Sequence, residues 1–285
     1  MNRRILIPAF LLGLLAALAA GAGLLEHLLS IESNTADLAG RFLPPSPAHF
    51  FGTDELGRDI FIRLLYGGQV SLGVGLTAAL AAAAIGATVG IVAGYSGGKT
   101  DALLMRLTDL LIALPLLPLL IILSAVDLGK LGFTPAADTS LYKIIILVSL
   151  TGWTTTARLA RARALTLKQM DFVLAARALG VGPARIVFRH IFPNLLNTVI
   201  VATTLSIGNI ILLESVLSFL GLGIQPPLPS WGNMLTNAED NIWEHAALTV
   251  YPGAMIFITV LTFNFLGDGL QAAMDPKNEA ARRHK

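Results

Sequence analysis

The chain has 285 residues, 54% of them hydrophobic and 13% charged, with a mean hydropathy of +0.71; a soluble domain carries about 25% charged residues, so a water-facing globule is excluded. A net charge of +2 gives no basis for a nucleic-acid partner, and the absence of cysteine excludes disulfides and thiolate metal sites. The apolar residues fall into long charge-free blocks, the pattern of a chain whose solvent is lipid.

Crossing the hydrocarbon as a helix takes about 20 residues, and the first block, 5–25, is of that length. Asn2-Arg3-Arg4 in front of it resembles a signal peptide, but the run exceeds the roughly 7–15 residues of a signal core. It is therefore expected to stay as a first span. Pro44, Pro45 and Pro47 then exclude helix interior. After them, Thr53 or Asp54 is expected to cap an interfacial helix through Leu56, Ile60 and Leu64, with Glu55–Arg58 and Asp59–Arg63 as charge pairs.

Block 64–98 predicts the second span. It ends in Ala93-Gly-Tyr-Ser-Gly-Gly-Lys99-Thr100, one residue away from a phosphate-cradling loop. The stretch follows a membrane helix instead of a strand and has Ala93 where the first glycine belongs, so it reads as a cytoplasmic turn. An amphipathic stretch from Asp101 to Asp109, with Arg106 able to pair with Asp109, leads into a third span at 110–126. The fourth, 144–157, is short and relies on Lys143 and Arg158 snorkelling at its ends. Its Thr151, Thr154, Thr155 and Thr156 can line a wet path or bond to helix backbone.

Residues 158–189 hold seven Lys/Arg (Arg158, Arg161, Arg163, Lys168, Arg177, Arg185, Arg189) against one acid, Asp171, which predicts a cytoplasmic segment. By alternation, Arg3, Arg4 and the Lys277, Arg282, Arg283, Lys285 tail fall inside, and the loop with Glu239, Asp240 and Glu244 falls outside. Helix formers run to Leu179, Gly180-Val-Gly182 breaks them, and Pro183 starts a new helix. That helix is expected to stop at Pro193, giving a rod of roughly 15 Å with Ile186, Val187 and Ile191 on one side and Arg185 and Arg189 on the other. Such a rod is either a plain surface helix or a knob for a partner's groove.

Blocks 191–213 and 246–267 predict spans five and six. Glu214 and Asp268 sit at their edges, where an ionisable group is either interfacial or part of a pathway. The five histidines have no metal-ligand spacing. The expected fold is an all-α polytopic bundle of six transmembrane helices with both termini cytoplasmic. It divides into an N-terminal helix and outer segment (1–71), a core (72–270) whose cytoplasmic loop is about 158–193, and a tail (271–285).

Several stretches resemble a known family. Asp171-Phe-Val-Leu-Ala175-Ala176-Arg-Ala-Leu-Gly180 with Arg189-His190-Ile-Phe-Pro193-Asn194 is similar to the "EAA" loop of ABC-importer membrane subunits. Phe51 to Asp59, Leu217 to Gly223, Pro226 to Gly232, and Asn264 to Leu270 with Asp275-Pro276 resemble the C-type permease of the dipeptide, oligopeptide and nickel importers. Departures are Leu174 in place of the loop's acid, His190 and Phe192 in place of aliphatics, and Gln271-Ala272-Ala273 after the Gly-Asp-Gly turn.

The resemblance implies a bacterial inner-membrane subunit that pairs with a second homologous permease, two cytoplasmic ATPases and an external solute-binding protein. ATP and magnesium would sit on the ATPases, with no cofactor and no catalysis in this chain. The implied ATPase-coupling residues are Asp171, Ala175, Ala176, Gly180, Pro183, Arg185, Ile186, Arg189, His190 and Pro193. Thr151, Thr155 and Glu214 are the pathway candidates. Di- or oligopeptides are the expected cargo, with nickel or glutathione as alternatives. An ion-gradient carrier is the rival class; it would show internal repeats and a mid-membrane coupling charge.

Overall fold

The computed structural model describes residues 3–126, 139–236 and 241–274. Glu239, Asp240, Asp275-Pro276 and the basic tail lie outside the described residues. Among those described the fold is helical, with no strand beyond an isolated antiparallel bridge between Thr53 and Asp59.

The helices are α1 (Arg3–Ala20), α2 (Ala22–Leu29), α3 (Ile60–Ser96), α4 (Gly98–Ala113), α5 (Leu116–Ser124), α6 (Thr139–Leu167), α7 (Asp171–Ala178), α8 (Pro183–Ile186), α9 (Phe192–Phe219) and α10 (Ala247–Met274). Among the described residues, four helical stretches are long and apolar enough to cross a membrane: Arg3–Ala20, Ile60–Ser96, Pro183–Phe219 and Ala247–Met274. The pair α4 and α5 is a fifth candidate. At 29 residues α6 has the length, but its apolar centre is bounded by Lys143 and Arg158.

α3 is the hub, packing on α6, α9 and α1, while α10 closes against α9 and α1. The α3–α6 contact follows from a small-residue stripe. Gly86, Gly90 and Gly94 recur every four residues, so they share one face, and they meet Ala157, Ala160 and Ala164, each fully buried. A Cβ on Gly90 would stand 2.6 Å from the Ala160 Cβ, and one on Gly94 2.8 Å from that of Ala164. Backbones this close gain dispersion contacts and lose little side-chain entropy, which is how helices associate where lipid removes the hydrophobic drive.

Three expectations about helix limits are corrected. The interfacial helix starts at Ile60, capped by the Asp59 carboxylate accepting from the Ile62 N–H at 2.9 Å. Upstream, Gly57 has φ +76°, and the Asp54 carboxylate accepts from the Leu56 and Arg58 N–H groups, making a turn. The Glu55–Arg58 pair forms at 3.3 Å, but Asp59 engages His49 (3.0 Å) and Arg63 reaches Asp54 (3.5 Å).

The third hydrophobic block is broken between α4 and α5, which are bent by 86°. Proline's ring disfavours a helical residue before it, and Leu114 before Pro115 is extended (ψ 136°). In the same region Asp109 pairs with Arg158 at 2.5 Å, not with Arg106. Lys143 donates to the Ser124 and Val126 carbonyls, closing the end of α5.

The helix beginning at Pro183 does not end at Pro193. Val187–Ile191 form a π turn, and α9 continues from Phe192. Proline lacks the N–H that would bond four residues back and crowds that carbonyl; the wider turn, with Phe192 N–H reaching the Val187 carbonyl, makes room for it. The expected short rod is thus the first turns of a continuous 37-residue helix.

Candidate functional site

The segment between α6 and α9 folds from its punctuation. α7 closes with the Val181 N–H bonded to the Ala176 carbonyl (3.1 Å) and Gly180 N–H to that of Arg177 (3.0 Å). Gly180 takes φ +76°, the left-handed position such a cap requires. Pro183 then supplies the first residue of α8, where a missing N–H has no consequence.

Val173 and Ala176 from α7, with Ile186, Ile191 and Leu195, pack into one cluster with Ala160, Ala164 and Leu167 of α6 and Ile91 of α3. Ile186 is 1% exposed. The apolar side of the rod, Ile186 and Ile191, therefore faces this chain's own bundle, which corrects the expectation of Ile186 as a partner-contacting residue. Because that side is covered internally, the segment is a rigid extension of α3, α6 and α9. Lys168 reinforces it by donating to the Gly94 and Tyr95 carbonyls at 3.2 Å, closing the end of α3. The near-phosphate-loop stretch is that end plus the first turn of α4, with Gly97 and Gly98 at positive φ.

The outward face carries other residues. Leu179 is 83% exposed and Phe188 74%, with Phe172 and Leu174 also exposed. Asp171, Ala175, Gly180, Pro183, Arg185, Arg189 and Pro193 are exposed as well, His190 is half-buried, and Ala176 is buried. The His190 ring lies 6.2 Å from that of Phe172, linking the π turn to α7. Leu179 and Phe188 are not among the sequence candidates. Phe188 stands between Arg185 and Arg189 on the side read as charged, and Leu179 directly precedes the turn glycine, where an apolar residue has no helix face to bury it.

The pathway candidates separate. Thr151 is half-buried and donates to the Leu147 carbonyl at 3.0 Å, while Thr155, one turn on along the same face, is exposed. Thr154 and Thr156 are buried. Glu214 is fully buried within this chain, 0% exposed. The Ser71 and Ser218 hydroxyls donate to its carboxyl oxygens at 3.1 and 2.7 Å, with Ser215 and Ser230 beside it.

The same hydroxyls hold residues 224–233. Ser71 accepts from the Trp231 backbone N–H (3.2 Å), Ser218 accepts from that of Ile224 (3.0 Å), and the Trp231 indole donates to the Leu64 carbonyl (2.9 Å). Asn233 completes the clasp, donating to the Ile224 and Leu228 carbonyls. Glu214 therefore organises a cage that ties α3, α9 and residues 224–233 together.

Residues 86–279 match the family of binding-protein-dependent transport system inner membrane components. The chain is 39% identical over 246 residues to the oligopeptide transport system permease protein OppC of Bacillus subtilis, covering 86% of this chain and 77% of that one. It is 43% identical over 236 residues to the dipeptide transport system permease protein DppC of the same organism (82% and 71% covered). Against the glutathione transport system permease protein GsiD of Pectobacterium atrosepticum it is 40% identical over 233 residues (82% and 74%). Among solved structures, a chain of the MetNI methionine ABC transporter in an inward-facing conformation superposes with TM-score 0.60 at 16% identity, covering 75% of this chain and 97% of that one. At that identity the likeness is one of fold.

Proposed function

Because this chain belongs to the family of binding-protein-dependent transport system inner membrane components, we propose that it forms half of the translocation pathway of an ATP-driven importer for di- or oligopeptides. A second homologous permease supplies the other half, a solute-binding protein delivers cargo from outside, and two ATPases dock inside. The chain crosses six times with both termini cytoplasmic, α4–α5 and α6 providing the third and fourth crossings. The core is 72–270. This chain hydrolyses nothing; ATP and magnesium belong to the ATPases.

The observation that carries the reading is the exposure of Leu179 and Phe188 on the segment between α6 and α9. Two large apolar side chains stand free on a segment whose inner side is fully packed, among Arg185 and Arg189 in the part of the chain richest in basic residues. Apolar anchors within a charged rim are what a protein partner's cleft engages. Because α8 runs without a stop into α9, a push on this face is delivered directly to a span, giving rigid-body switching of access. The peptide cargo rests on the oligopeptide and dipeptide relatives; the glutathione relative supports a second reading in which the cargo is that tripeptide.

Co-purification tests the proposal. Leu179→Asp and Phe188→Asp should leave the membrane subunits paired and folded while the ATPases are lost in mild detergent, and substrate-stimulated ATP hydrolysis should fall at least about tenfold, as for interface anchors. If both variants keep their ATPases and transport at the normal rate, the docking face is wrong.

A further inference from the structure

At the end of the bundle where α1 begins and α10 ends, a cavity of about 420 Å³ lies between the two helices, lined by Arg3, Arg4, Ile7, Pro8, Phe265, Asp268 and Gly269. The helices touch beside it: a Cβ on Gly269 would sit 2.8 Å from the Arg4 carbonyl oxygen and 3.1 Å from the Ile5 side chain. Arg3, Arg4 and Asp268 are exposed, and no ion pair forms between either arginine and Asp268 among the described residues. The sequence following α10 adds four Lys/Arg against two acids.

The walls are as telling as the charges. Ile7 is 61% exposed and Phe265 55%. One turn further into the bundle, on the same helix faces, Phe10 and Leu261 are also exposed. The cavity therefore has a cationic mouth and an apolar track leading away from it towards the middle of the membrane. A soluble anion would leave those walls unused. A phosphodiester with acyl chains matches both ends, and basic pockets between membrane helices on the cytoplasmic side suit anionic head groups.

We propose that this cavity binds an anionic phospholipid, its phosphate on Arg3 and Arg4, its acyl chains along Ile7 and Phe265, and a head-group hydroxyl donating to Asp268. Two arginines and one aspartate leave the site with one net positive charge, complementary to a lipid carrying one negative charge. A zwitterionic lipid would instead set its ammonium against Asp268. The assignment to the inner leaflet rests on the orientation given under the proposed function; the pairing of lipid with cavity does not.

The test is lipid competition on the full transporter, purified in mild detergent, stripped of lipid and exposed to equimolar phosphatidylglycerol and phosphatidylethanolamine, with retained lipid counted by native mass spectrometry. Phosphatidylglycerol should be preferred, and Arg3→Gln and Arg4→Gln should each reduce its retention about fivefold, the weight of one basic side chain near an anionic lipid surface. Asp268→Asn should leave phosphatidylglycerol bound, and Ile7→Asp should weaken retention of both lipids by placing a charge on the apolar track.

Three results overturn the proposal: retention unaffected by the arginine changes, phosphatidylethanolamine preferred and then lost in Asp268→Asn, or displacement of the lipid by excess inorganic phosphate. Labelling Arg185→Cys from each side of the membrane in the same variants reports orientation independently. An inverted or misinserted chain is thereby separated from a correctly inserted one that lacks the site.

Discussion

Leu179 and Phe188 flank the start of the continuous helix Pro183–Phe219 and the Glu214 cage lies near its far end, and the two regions invert the usual placement of polarity. One leaves large apolar side chains in the open; the other buries a carboxyl group completely and surrounds it with serines. An isolated apolar anchor contributes nothing to the stability of this chain. A buried acid with its donors satisfied contributes only while every member of the set remains. The first region is left free for a contact outside the chain, and the second holds the chain together. Substitutions at the two ends should therefore move different observables.

The largest contrast lies within the inner segment. Ile186→Asp would bury an unpaired charge among Val173, Ile191 and Leu195 and should destabilise the subunit by about 3 kcal/mol or more. Leu179→Asp, seven residues away and 83% exposed, should change stability by no more than about 0.5 kcal/mol while releasing the ATPases. Thermal unfolding of the purified membrane subunits checks both. Equal losses at the two positions would remove the distinction between an inner and an outer face.

At the other end, Glu214→Leu leaves the Ser71 and Ser218 hydroxyls without their acceptor and should cost about 2–3 kcal/mol, with residues 224–233 opening to protease. Glu214→Gln keeps one of the two acceptor oxygens and should cost about half as much, roughly 1–1.5 kcal/mol. Neither change should release the ATPases. If Glu214→Gln abolishes transport while the clasp stays protease-resistant, the acid has a pathway role in addition to its structural one.

The sequence revealed which blocks avoid water and where the chain must turn. Gly180 and Pro183 mark a cap and a start whose geometry is local, so both were legible. Long-range choice was not. Periodicity identified Ile186 and Ile191 as residues seeking burial, but not that α6 of the same chain would cover them. Asp109 has Arg106 within one turn, yet the tertiary fold brings Arg158 to 2.5 Å from it. Pro193 reads as a stop because proline normally breaks the bonding ladder; the π turn that accommodates it depends on how far the chain is packed beyond it. The serines around Glu214 come from positions 71, 215, 218 and 230, and only the pairs within α9 have a spacing visible in one dimension.

The smallest expected effect concerns the tether at α2, which shares with the Glu214 cage an acid held by a hydroxyl donor but is only partly buried. Glu26 accepts from the Ser33 N–H at 2.7 Å and from the Tyr66 hydroxyl. Burial raises its pKa, but the bonds from Tyr66 and Ser33 together outweigh that and hold it below the ordinary 4.5. A carboxyl group depressed by folding binds fewer protons in the folded state, so its stabilisation is complete above 4.5 and is lost as pH falls through the depressed value. Amide exchange at Ser33, corrected for intrinsic rates, should therefore lose about two- to fivefold of its protection across that acid window, in line with one hydrogen bond to an ionised group near water. Glu26→Gln should show the weaker protection at every pH with no acid transition. A transition that persists in Glu26→Gln would assign the tether to another acid, and its absence in the unaltered chain would mean that the Tyr66 and Ser33 bonds contribute nothing measurable at this surface.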